Sequence, residues 1–481
     1  MKKSALLSWR RTKIIATLGP ASNSEQSMAE LLASGVNVVR LNMSHGDHDQ
    51  HRVLFKRVRA VAERLAHPVA ILMDLCGPKI RVGEFVAGGI ELREGETVQV
   101  TTRKVFGTHA LIPISYAQLH EEVSCGERIL LDDGKLELQV LSVVAQEIRC
   151  RVIYGGELKD HKGVNLPDSE LRVPSFTHKD RLDAALAAEL GADYLALSFV
   201  RDCSDVLHLK NHLMHLHADI PVIAKIEKPE AVENIVSILQ HSDGIMIARG
   251  DLGIELPAEQ IPFIQQRLIY QARRYYKPVI VATQMLESMI NSARATRAEV
   301  GDVASAAMSS ADAVMLSGET AMGAYPLQAV QTMDRVLRET ERHQWQSGQF
   351  GPRLNNVSDE QHFPLRTAVA HAVVSLAEDL KLQSLVVPTR NGTTARVLAA
   401  ERPTAPLIGV CSSAVQQRRL SLLWGVVPML ASEEQREDWL QLRELISHTY
   451  LLEGDGNTVL LVTGFSDDPQ LNQPVMKVVH L

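Results

Sequence analysis

Eight short apolar segments, each followed by a stretch with helical periodicity, constrain the fold of this chain more than any other feature of its sequence. The segments are rich in Val, Ile and Leu and lack polar alternation, which is typical of parallel strands covered on both faces. They occupy residues 14–18, 36–41, 69–75, 194–199, 221–226, 244–248, 279–283 and 313–316. Eight strands that alternate with helices predict an α/β fold of the (β/α)₈ (TIM) barrel type rather than an open doubly wound sheet.

Helix signals separate these strands. One apolar stripe repeats at three- and four-residue steps along residues 261–275, as on the buried face of a helix. Thr296 and Glu299 have the spacing of a capping box, in which two side chains satisfy backbone donors at a helix start. The barrel is therefore predicted to comprise residues 1–81 and 173–342.

Residues 82–172 interrupt the pattern after the third strand. Residues 136–140 and 148–152 alternate strictly between apolar and polar, and Asp133-Gly134 is a hairpin turn signal. We expect an inserted domain here, a small β-barrel. Because it leaves the barrel at the carboxyl end of a strand, where barrel active sites lie, it is placed to act as a lid.

The last third of the chain reads as a separate domain. Residues 343–356 are polar and contain Gly and Pro, which indicates a linker. Residues 357–481 again alternate helices with apolar strands, at 385–387, 407–410, 458–462 and 476–479. Fewer strands predict a small open α/β domain, which we interpret as regulatory.

Composition excludes several classes of protein. The formal net charge of the 481 residues is −7, so nothing indicates binding to nucleic acid through bulk electrostatics. No apolar run approaches the roughly 20 residues that span a bilayer, and the apolar stretch near the N-terminus is too short for a signal peptide. The five cysteines are scattered and form no Cys-x-x-Cys pair. We expect a cytoplasmic protein without membrane or nucleic-acid partners.

The carboxyl ends of the predicted strands are unusually polar. Three cations, Arg40, Lys225 and Arg249, occur there together with the carboxylates of Glu227 and Asp251. The cations could bind phosphate oxygens, and the two carboxylates could hold Mg²⁺, which binds through one or two carboxylates plus water and substrate oxygens. Phosphoryl transfer needs mainly positioning and neutralisation of charge, which such groups supply.

Each of these features also has a purely structural interpretation. Lys225 and Glu227 lie two apart on a strand, so they share a face and could merely form an ion pair. Gly250-Asp251 before a helix could be a turn and cap, and Arg40 could be a salt-bridged barrel residue. Their joint occurrence at successive strand ends favours a functional site.

Seven motifs resemble those of the pyruvate kinase family, in order along the whole chain and including the insertion and the C-terminal domain. They occupy residues 11–22, 39–46, 74–81, 223–227, 246–255, 282–289 and 312–320. A series of this length is highly specific, whereas a single motif would not be. The resemblance implies transfer of the phosphoryl group of phosphoenolpyruvate to ADP, giving pyruvate and ATP.

The resemblance also assigns roles to residues of this chain. It implies Mg²⁺, with Mn²⁺ as an alternative, on Glu227 and Asp251, and Lys225 as the catalytic lysine. Arg40 is similar to the arginine that grips the transferring phosphate. The backbone N–H groups of Gly250 and Asp251 match those that receive the substrate carboxylate, which agrees with the preference of a helix N-terminus for anions.

The resemblance also implies residues for proton transfer and for nucleotide binding. Thr283 matches the threonine beside the reactive carbon of the enolate, and the sequence leaves open whether it or a water delivers the proton. Ser317 and Glu319 resemble further members of that proton network. The resemblance places three residues on the nucleotide side: His45, Arg81 and, from the lid, Lys162.

Lys79 bears on the monovalent cation. The resemblance implies that Asn42, Ser44 and Asp74 match ligands of K⁺ and that the position of Lys79 is usually Glu in relatives that need K⁺. An ammonium group at this position can supply the fixed positive charge, so we expect an enzyme that does not require K⁺. The alternative is that Lys79 is a solvated loop lysine without effect.

The C-terminal domain contains a candidate effector loop between a strand and a helix. Its hydroxyls, glycine and arginine would suit a phosphate, although a plain turn explains the same residues. The loop comprises Thr389, Arg390, Asn391, Gly392, Thr393 and Thr394. The resemblance implies a phosphorylated allosteric effector and a homotetramer.

Two other functions were weighed against this interpretation. A Mg²⁺-dependent barrel lyase or aldolase acting through a pyruvate enolate could share the carboxylates and an arginine, but it would not need the lid or Lys162. An inactive paralogue that senses sugar phosphates would not need Lys225 and Thr283.

Overall fold

The first regular elements of the chain alternate between strand and helix, as predicted. The computed structural model describes residues 10–169, 172–347, 350, 354, 365–447, 458–468 and 470–480. The first five elements are β1 (Lys13–Thr17), α1 (Glu25–Ala33), β2 (Val38–Asn42), α2 (His48–Arg64) and β3 (Ala70–Asp74). The side chains of Ser24 and Asp47 accept backbone hydrogen bonds at the starts of α1 and α2, where the first N–H groups lack intrahelical partners.

The inserted residues form a β domain of their own. Its elements are β4 (Gly89–Leu92), β5 (Thr97–Thr101), β6 (Leu111–Pro113), α3 (Leu119–Glu122), β7 (Arg128–Leu131), β8 (Leu136–Val144), β9 (Glu147–Tyr154), β10 (Gly156–Lys159) and β11 (Val164–Asn165). Six strands form one sheet in the order β11-β7-β8-β9-β5-β6, while β4 and β10 form a two-stranded ribbon. Apolar side chains of both sheets pack into a single core that is separate from the barrel core. The turn at Asp133-Gly134 joins β7 to β8, which confirms the hairpin prediction.

The chain then returns to the alternating pattern. The elements are α4 (His178–Leu190), β12 (Tyr194–Leu197), α5 (Cys203–His215), β13 (Val222–Ile226), α6 (Pro229–Glu233), α7 (Ile235–His241), β14 (Gly244–Ala248), α8 (Arg249–Glu255), α9 (Ile261–Arg274), β15 (Val279–Ala282), α10 (Arg297–Met308), β16 (Ala313–Leu316), α11 (Gly318–Ala321) and α12 (Pro326–Gln346). The predicted capping box of Thr296 and Glu299 is present at the start of α10.

Eight parallel strands close into a barrel in the order β1-β16-β15-β14-β13-β12-β3-β2. Along each strand, neighbouring side chains enter different apolar clusters, because successive residues of a strand point to opposite faces. Ile14 and Ala16 join the layer that the outer helices cover, whereas Ile15 joins the cluster of the barrel interior. The predicted barrel is therefore confirmed, and the carboxyl ends of its strands form one mouth.

The C-terminal domain is an open α/β sheet, as predicted. Its elements are α13 (Leu365–Asp379), β17 (Ser384–Pro388), α14 (Thr393–Ala400), β18 (Leu407–Cys411), α15 (Ala414–Leu420), β19 (Val426–Leu430), α16 (Glu433–Glu437), α17 (Trp439–Ser447), β20 (Thr458–Thr463) and β21 (Val475–His480). The strand order is β19-β18-β17-β20-β21. The sequence prediction missed β19, whose central Pro428 weakens the strand pattern and is tolerated because β19 lies at the sheet edge.

The boundary between the barrel and the C-terminal domain differs slightly from the prediction. Helix α12 continues to Gln346, so its last four residues, 343–346, occupy the predicted start of the linker. Most of the remaining linker, and residues 357–364 of the predicted C-terminal domain, lie outside the described residues. Among the helices that the structure describes, none is long and apolar enough to cross a membrane.

Candidate active site

Four side chains of alternating charge cross the carboxyl-end mouth of the barrel. Arg40 Nε donates a hydrogen bond to Asp74 Oδ2 at 2.7 Å. Lys225 Nζ lies 3.5 Å from Asp74 Oδ1 and 2.8 Å from Glu227 Oε1. All four side chains are at most 13% exposed, so their charges interact strongly across a region of low dielectric. The predicted strand-end residues Arg40, Lys225 and Glu227 are thus brought together.

Lys225 is held in its charged form. Burial by itself would lower the pKa of Lys225, but the carboxylates of Asp74 and Glu227 outweigh burial and raise it above its ordinary value. The ammonium group also donates to Ser198 Oγ at 2.8 Å. A buried, oriented cation of this kind can stabilise negative charge that develops on a bound substrate.

Glu227 and Asp251 offer oxygen ligands for a divalent cation. Glu227 Oε2 accepts a hydrogen bond from the N–H of Phe199 at 2.9 Å, and its other oxygen faces Lys225. Burial and then the negative charge of Glu227 raise the pKa of Asp251 to about 6, which shows that the two carboxylates are close enough to repel each other. A bound cation would relieve this repulsion, so the pair fits Mg²⁺. No cluster of three potential His, Cys, Asp or Glu ligands occurs among the described residues, so water and substrate would complete the coordination.

Thr283 lies beside this cluster in a strained backbone segment. The φ angles of Thr283 and Gln284 are 64° and 52°, in the left-handed region that side chains other than glycine rarely adopt. Gly250 donates its N–H to Thr283 Oγ1 at 2.7 Å, which places the hydroxyl at the start of α8. This N–H, which the sequence assigned to a substrate carboxylate, therefore has an internal partner.

Arg249 has a different function from the one its position suggested. The sequence placed Arg249 among the cations that could bind phosphate. Its guanidinium is buried and donates to the carbonyl oxygens of Thr283, at 3.3 Å, and Gln284, at 2.5 Å. Arg249 therefore stabilises the strained backbone segment that carries Thr283.

Ser317 and Glu319 join the ends of the seventh and eighth barrel strands. The carboxylate of Glu319 accepts from the N–H of Ser317 at 2.7 Å and from the N–H of Leu286 at 3.1 Å. Burial raises the pKa of Glu319. Ser317 Oγ is buried without a hydrogen-bond partner, so it remains free to bond to a ligand or a water.

The predicted monovalent-cation positions lie on the same side of the mouth. Asn42 and Asp74 are paired in the register of β2 and β3, and Asn42 Oδ1 accepts from the N–H of Ser44 at 3.1 Å. The ammonium group of Lys79 contributes to the electrostatics here. After burial, its charge is the main factor that lowers the pKa of His45, and it also opposes the rise in the pKa of Asp251.

Comparison with known proteins assigns the family. The family profile described as "Pyruvate kinase, barrel domain" matches residues 9–330, and "Pyruvate kinase, alpha/beta domain" matches residues 367–479. The chain belongs to the pyruvate kinase family. It is 44% identical over 425 residues to pyruvate kinase 2 of Synechocystis sp., covering 88% of this chain and 71% of that protein. It is 40% identical to the pyruvate kinase of Mycobacterium tuberculosis, with 89% of each covered.

A solved structure agrees over the whole fold. The crystal structure of a pyruvate kinase from Cryptosporidium parvum matches with a TM-score of 0.89 and 34% identity, covering 99% of this chain and 97% of that one. This pyruvate kinase is therefore a phosphotransferase, and its substrates and products are phosphoenolpyruvate, ADP, pyruvate and ATP.

Arg81 and the lid residue Lys162, both predicted to meet the nucleotide, are bonded to other groups of the lid. Arg81 Nη1 donates to the carbonyl oxygen of His161 at 2.7 Å, and Lys162 Nζ lies 2.8 Å from Asp132 Oδ1. A cleft of about 70 Å³ separates the lid from the barrel, and its walls include Lys79 and Asp251. Arg81 and Lys162 would have to exchange these partners to meet a nucleotide.

The predicted effector loop borders a cavity of about 560 Å³ in the C-terminal domain. Thr389, Arg390, Asn391 and Thr394 line this cavity. Other groups of the loop are bonded locally: Thr389 Oγ1 accepts from the N–H of Gly392 at 3.0 Å, and Thr393 Oγ1 donates to Asp467 at 2.9 Å. Gly392 has a φ of 85°, which explains the need for glycine there.

Sequence reasoning missed three residues that hold the charged side chains at the mouth in place. These charged side chains are Arg40, Asp74, Lys225 and Glu227. Ser198 accepts from Lys225, Phe199 donates its N–H to Glu227, and Thr17 Oγ1 accepts from Arg40 Nη1 at 3.1 Å. All three lie at or just past the carboxyl ends of barrel strands. Their position was therefore a usable signal, but their uncharged side chains gave no reason to select them.

Proposed function

We propose that this pyruvate kinase transfers the phosphoryl group of phosphoenolpyruvate to ADP at the mouth formed by Arg40, Lys225 and Thr283, with a divalent cation on Glu227 and Asp251. The observation that carries the proposal is the buried alternating chain Arg40–Asp74–Lys225–Glu227, in which two carboxylates raise the pKa of Lys225 despite its burial. Negatively charged phosphate oxygens are the ligands that such cations attract.

Each residue contributes a separate part of the reaction. Arg40 orients the transferring phosphoryl group, and Lys225 stabilises the negative charge on that group and on the enolate left behind. The substrate carboxylate binds the backbone N–H of Asp251 and that of Gly250, which would exchange its bond to Thr283 Oγ1 for the substrate. When bound, Mg²⁺, or Mn²⁺ in its place, supplies further neutralisation of the phosphoryl and enolate oxygens.

Proton transfer completes the formation of pyruvate. Thr283 follows β15, and its hydroxyl accepts from the N–H of Gly250 at the start of α8; we propose that this hydroxyl, or a water bound to it, protonates the enolate carbon. Ser317 and Glu319 would belong to the network that supplies this proton. The unpaired Ser317 Oγ and the raised pKa of Glu319 support that role.

The nucleotide would lie between the barrel and the lid. His45 and Arg81 flank the mouth, and Lys162 would leave Asp132 to meet a phosphate of ADP. Exchange of a carboxylate partner for a phosphate keeps the ammonium group paired throughout, so the desolvation penalty remains small. The lid is therefore part of the nucleotide site, which disfavours the lyase alternative.

We also propose that the enzyme requires Mg²⁺ but not K⁺. The charge of Lys79 reaches Asp251 and His45, so it acts at the side of the mouth where Asn42, Ser44 and Asp74 lie. A fixed ammonium group there would supply the positive charge that a bound monovalent cation otherwise provides.

Regulation is the remaining part of the proposal. A phosphorylated effector would bind the loop of Thr389 to Thr394 through Arg390, the backbone and the hydroxyls, in the cavity beside it. We propose a homotetramer in the cytoplasm as the working assembly, with no nucleic-acid partner.

Steady-state pyruvate formation tests the proposed reaction and its cation requirements together. Phosphoenolpyruvate, ADP and Mg²⁺ are supplied in K⁺-free buffer and again with KCl, with ionic strength matched by a tetraalkylammonium salt and a K⁺-insensitive coupling enzyme. We expect equal turnover in both buffers and none without a divalent cation. Turnover only with KCl would refute the function proposed for Lys79, and no turnover in either would refute the reaction.

A further inference from the structure

Glu255, the last residue of α8, connects the lid to the barrel through a single carboxylate oxygen. Its Oε1 accepts from Lys228 Nζ at 2.7 Å and from Nδ2 of the lid residue Asn165 at 3.2 Å. The side chains of Glu255 and Lys228 are only 2% and 11% exposed. Hydrogen bonds to a buried charge are among the stronger ones in proteins, so this contact is suited to fixing an orientation.

The three residues belong to the three segments that carry the proposed chemistry. Glu255 is the last residue of the helix whose first turn contains Gly250 and Asp251. Lys228 follows the metal-ligand candidate Glu227 directly, and Asn165 lies three residues after Lys162 on β11. A movement of Asn165 relative to Glu255 therefore also moves Lys162 relative to Asp251.

The geometry is poorly explained by stability alone. Glu255 Oε2 is buried without a hydrogen-bond partner, and leaving a buried acceptor unpaired is costly. Both donors converge on Oε1 instead of being shared between the two oxygens. Such an incompletely satisfied buried group is expected where position matters more than stability.

The lid is close to the barrel at this contact. A Cβ atom added to Gly134, in the turn before β8, would lie 3.6 Å from the side chain of Ile254, the neighbour of Glu255. Asp133 in the same turn and Asp251 of the barrel line one cleft between the two domains. Two separate parts of the lid thus approach the C-terminal half of α8.

We propose that Asn165 and Glu255 are positioning residues that hold the lid where Lys162 can reach the phosphates of the nucleotide. The inference rests on the proposed function, because it assumes that ADP binds between lid and barrel. Neither residue contacts the reacting atoms, so their loss acts on the lid and not on phosphoenolpyruvate.

Asn165→Ala is the first test, because it removes the lid's donor while Glu255 keeps its pair with Lys228. We expect the KM for ADP to rise about tenfold, in line with the loss of one hydrogen bond to a charged group. The KM for phosphoenolpyruvate and the melting temperature should stay near those of the unmodified enzyme. Gln99→Ala, on an exposed position of the same lid sheet, is the matched control and should change neither constant.

A double-mutant cycle with Glu255→Ala, which removes the acceptor, separates a direct contact from two independent effects. If the bond is real, the double variant should raise the KM for ADP no more than the larger single change, because the interaction is already lost. Amide hydrogen exchange over residues 160–169 should also quicken in Asn165→Ala, a readout that needs no activity.

The outcomes differ for the inference and for the reaction it rests on. A KM for ADP within twofold of the original in Asn165→Ala, or strictly additive effects in the cycle, overturns the inference. Equal rises in the KM of both substrates with a lowered melting temperature indicate a structural role and also overturn it. If the unmodified enzyme transfers no phosphoryl group, the proposed function fails, and unchanged hydrogen exchange would then refute the lid contact separately.

Discussion

Buried carboxylates lie at both ends of the barrel, but their oxygens are paired differently. At the amino end, each carboxylate oxygen of Asp193, Asp312 and Glu341 accepts a hydrogen bond from an arginine side chain or a backbone N–H. At the carboxyl end, Asp74 Oδ1 and Ser317 Oγ are buried without a hydrogen-bond partner. Because buried polar atoms of native proteins usually have a partner, the carboxylate oxygen at the mouth that has none is placed to bond to a ligand.

Two buried lysines show the same contrast. Lys225, at the mouth, faces two carboxylates that raise its pKa. Lys13, at the amino end, donates to the carbonyl oxygen of Val426 at 2.7 Å, and burial lowers its pKa to about 7. A lysine that must stabilise an anion needs counter-charges that keep it protonated, whereas a lysine that joins two domains does not. The amino end therefore contacts the C-terminal domain, and the pairing of Lys225 supports the proposal that the mouth performs the chemistry.

The largest effect expected from this comparison concerns Lys225. Lys225→Met should lower kcat by about a thousandfold or more, since it removes a preorganised charge from the transition state. The free energy of unfolding should also fall, because Glu227 loses its buried counter-ion, so kcat is measured on the folded fraction. Single-turnover kinetics measure the effect, with Lys210→Met on the outer helix α5 as control; a loss under tenfold would contradict the role of Lys225.

Breaking a charge pair at the amino end should affect mainly stability. Arg402→Met removes the partner of Asp312, which binds it at 2.8 Å with both residues nearly inaccessible. We expect a loss of about 3–5 kcal/mol in the free energy of unfolding, because one buried charge loses its counter-ion. The kcat of the folded variant should stay within about threefold, since the pair lies at the other end of the barrel.

Urea unfolding and the kcat of the folded fraction test this second expectation. If Arg402→Met instead abolished turnover with unchanged unfolding, the amino end would take part in catalysis and the comparison would fail.

A charge reversal at the mouth should give a smaller effect. Lys79→Glu should lower turnover in K⁺-free buffer by about tenfold, because a charge contact of about 4 Å lies between about 1 kcal/mol in water and about 4 kcal/mol near a protein surface, and KCl should restore it. The control is Lys104→Glu, an exposed lid lysine outside the cleft, which should leave the K⁺ response unchanged. Equal turnover of Lys79→Glu with and without KCl would show that Lys79 does not replace the cation.

The smallest effect concerns pH and the divalent cation. The pKa of Asp251 is raised to about 6, so in the folded protein without metal this carboxyl takes up a proton as pH falls through 6, before the unfolded chain does. Its charged form therefore opposes folding above pH 6, and that penalty diminishes between pH 6 and about 4. Mg²⁺ must displace the proton, so its apparent Kd should rise up to about tenfold per pH unit below 6.

Calorimetric Mg²⁺ titrations from pH 5 to 8 measure this dependence. Asp251→Asn should bind Mg²⁺ weakly at every pH, and the steep dependence below pH 6 should disappear. A Kd that is independent of pH in the unmodified protein would show that Asp251 does not compete with protons for the metal.

Prediction from the sequence succeeded where a single rule of topology sufficed. Parallel strands of a barrel end at one mouth, so Arg40, Lys225 and Glu227 could be grouped without knowledge of their distances. The same rule misassigned Arg249, because a strand-end position does not specify which way a long side chain turns. It also missed Phe199, whose contribution is a backbone N–H in a left-handed conformation with a φ of 55°.

By itself, the sequence determined the barrel, the inserted lid, the open C-terminal sheet and the family, because periodicity and motif spacing are properties of the chain. The roles of Glu227, Asp251 and the nucleotide residues stay proposals that binding and kinetic measurements must test. Only the tertiary structure decided which buried charges have partners, since those partners come from distant segments: Glu255 joins Lys228 and Asn165, and Asp312 joins Arg402. Folding brings these groups into a region of low dielectric, where an ångström decides whether a charge is paired, and no pattern along the chain encodes that distance.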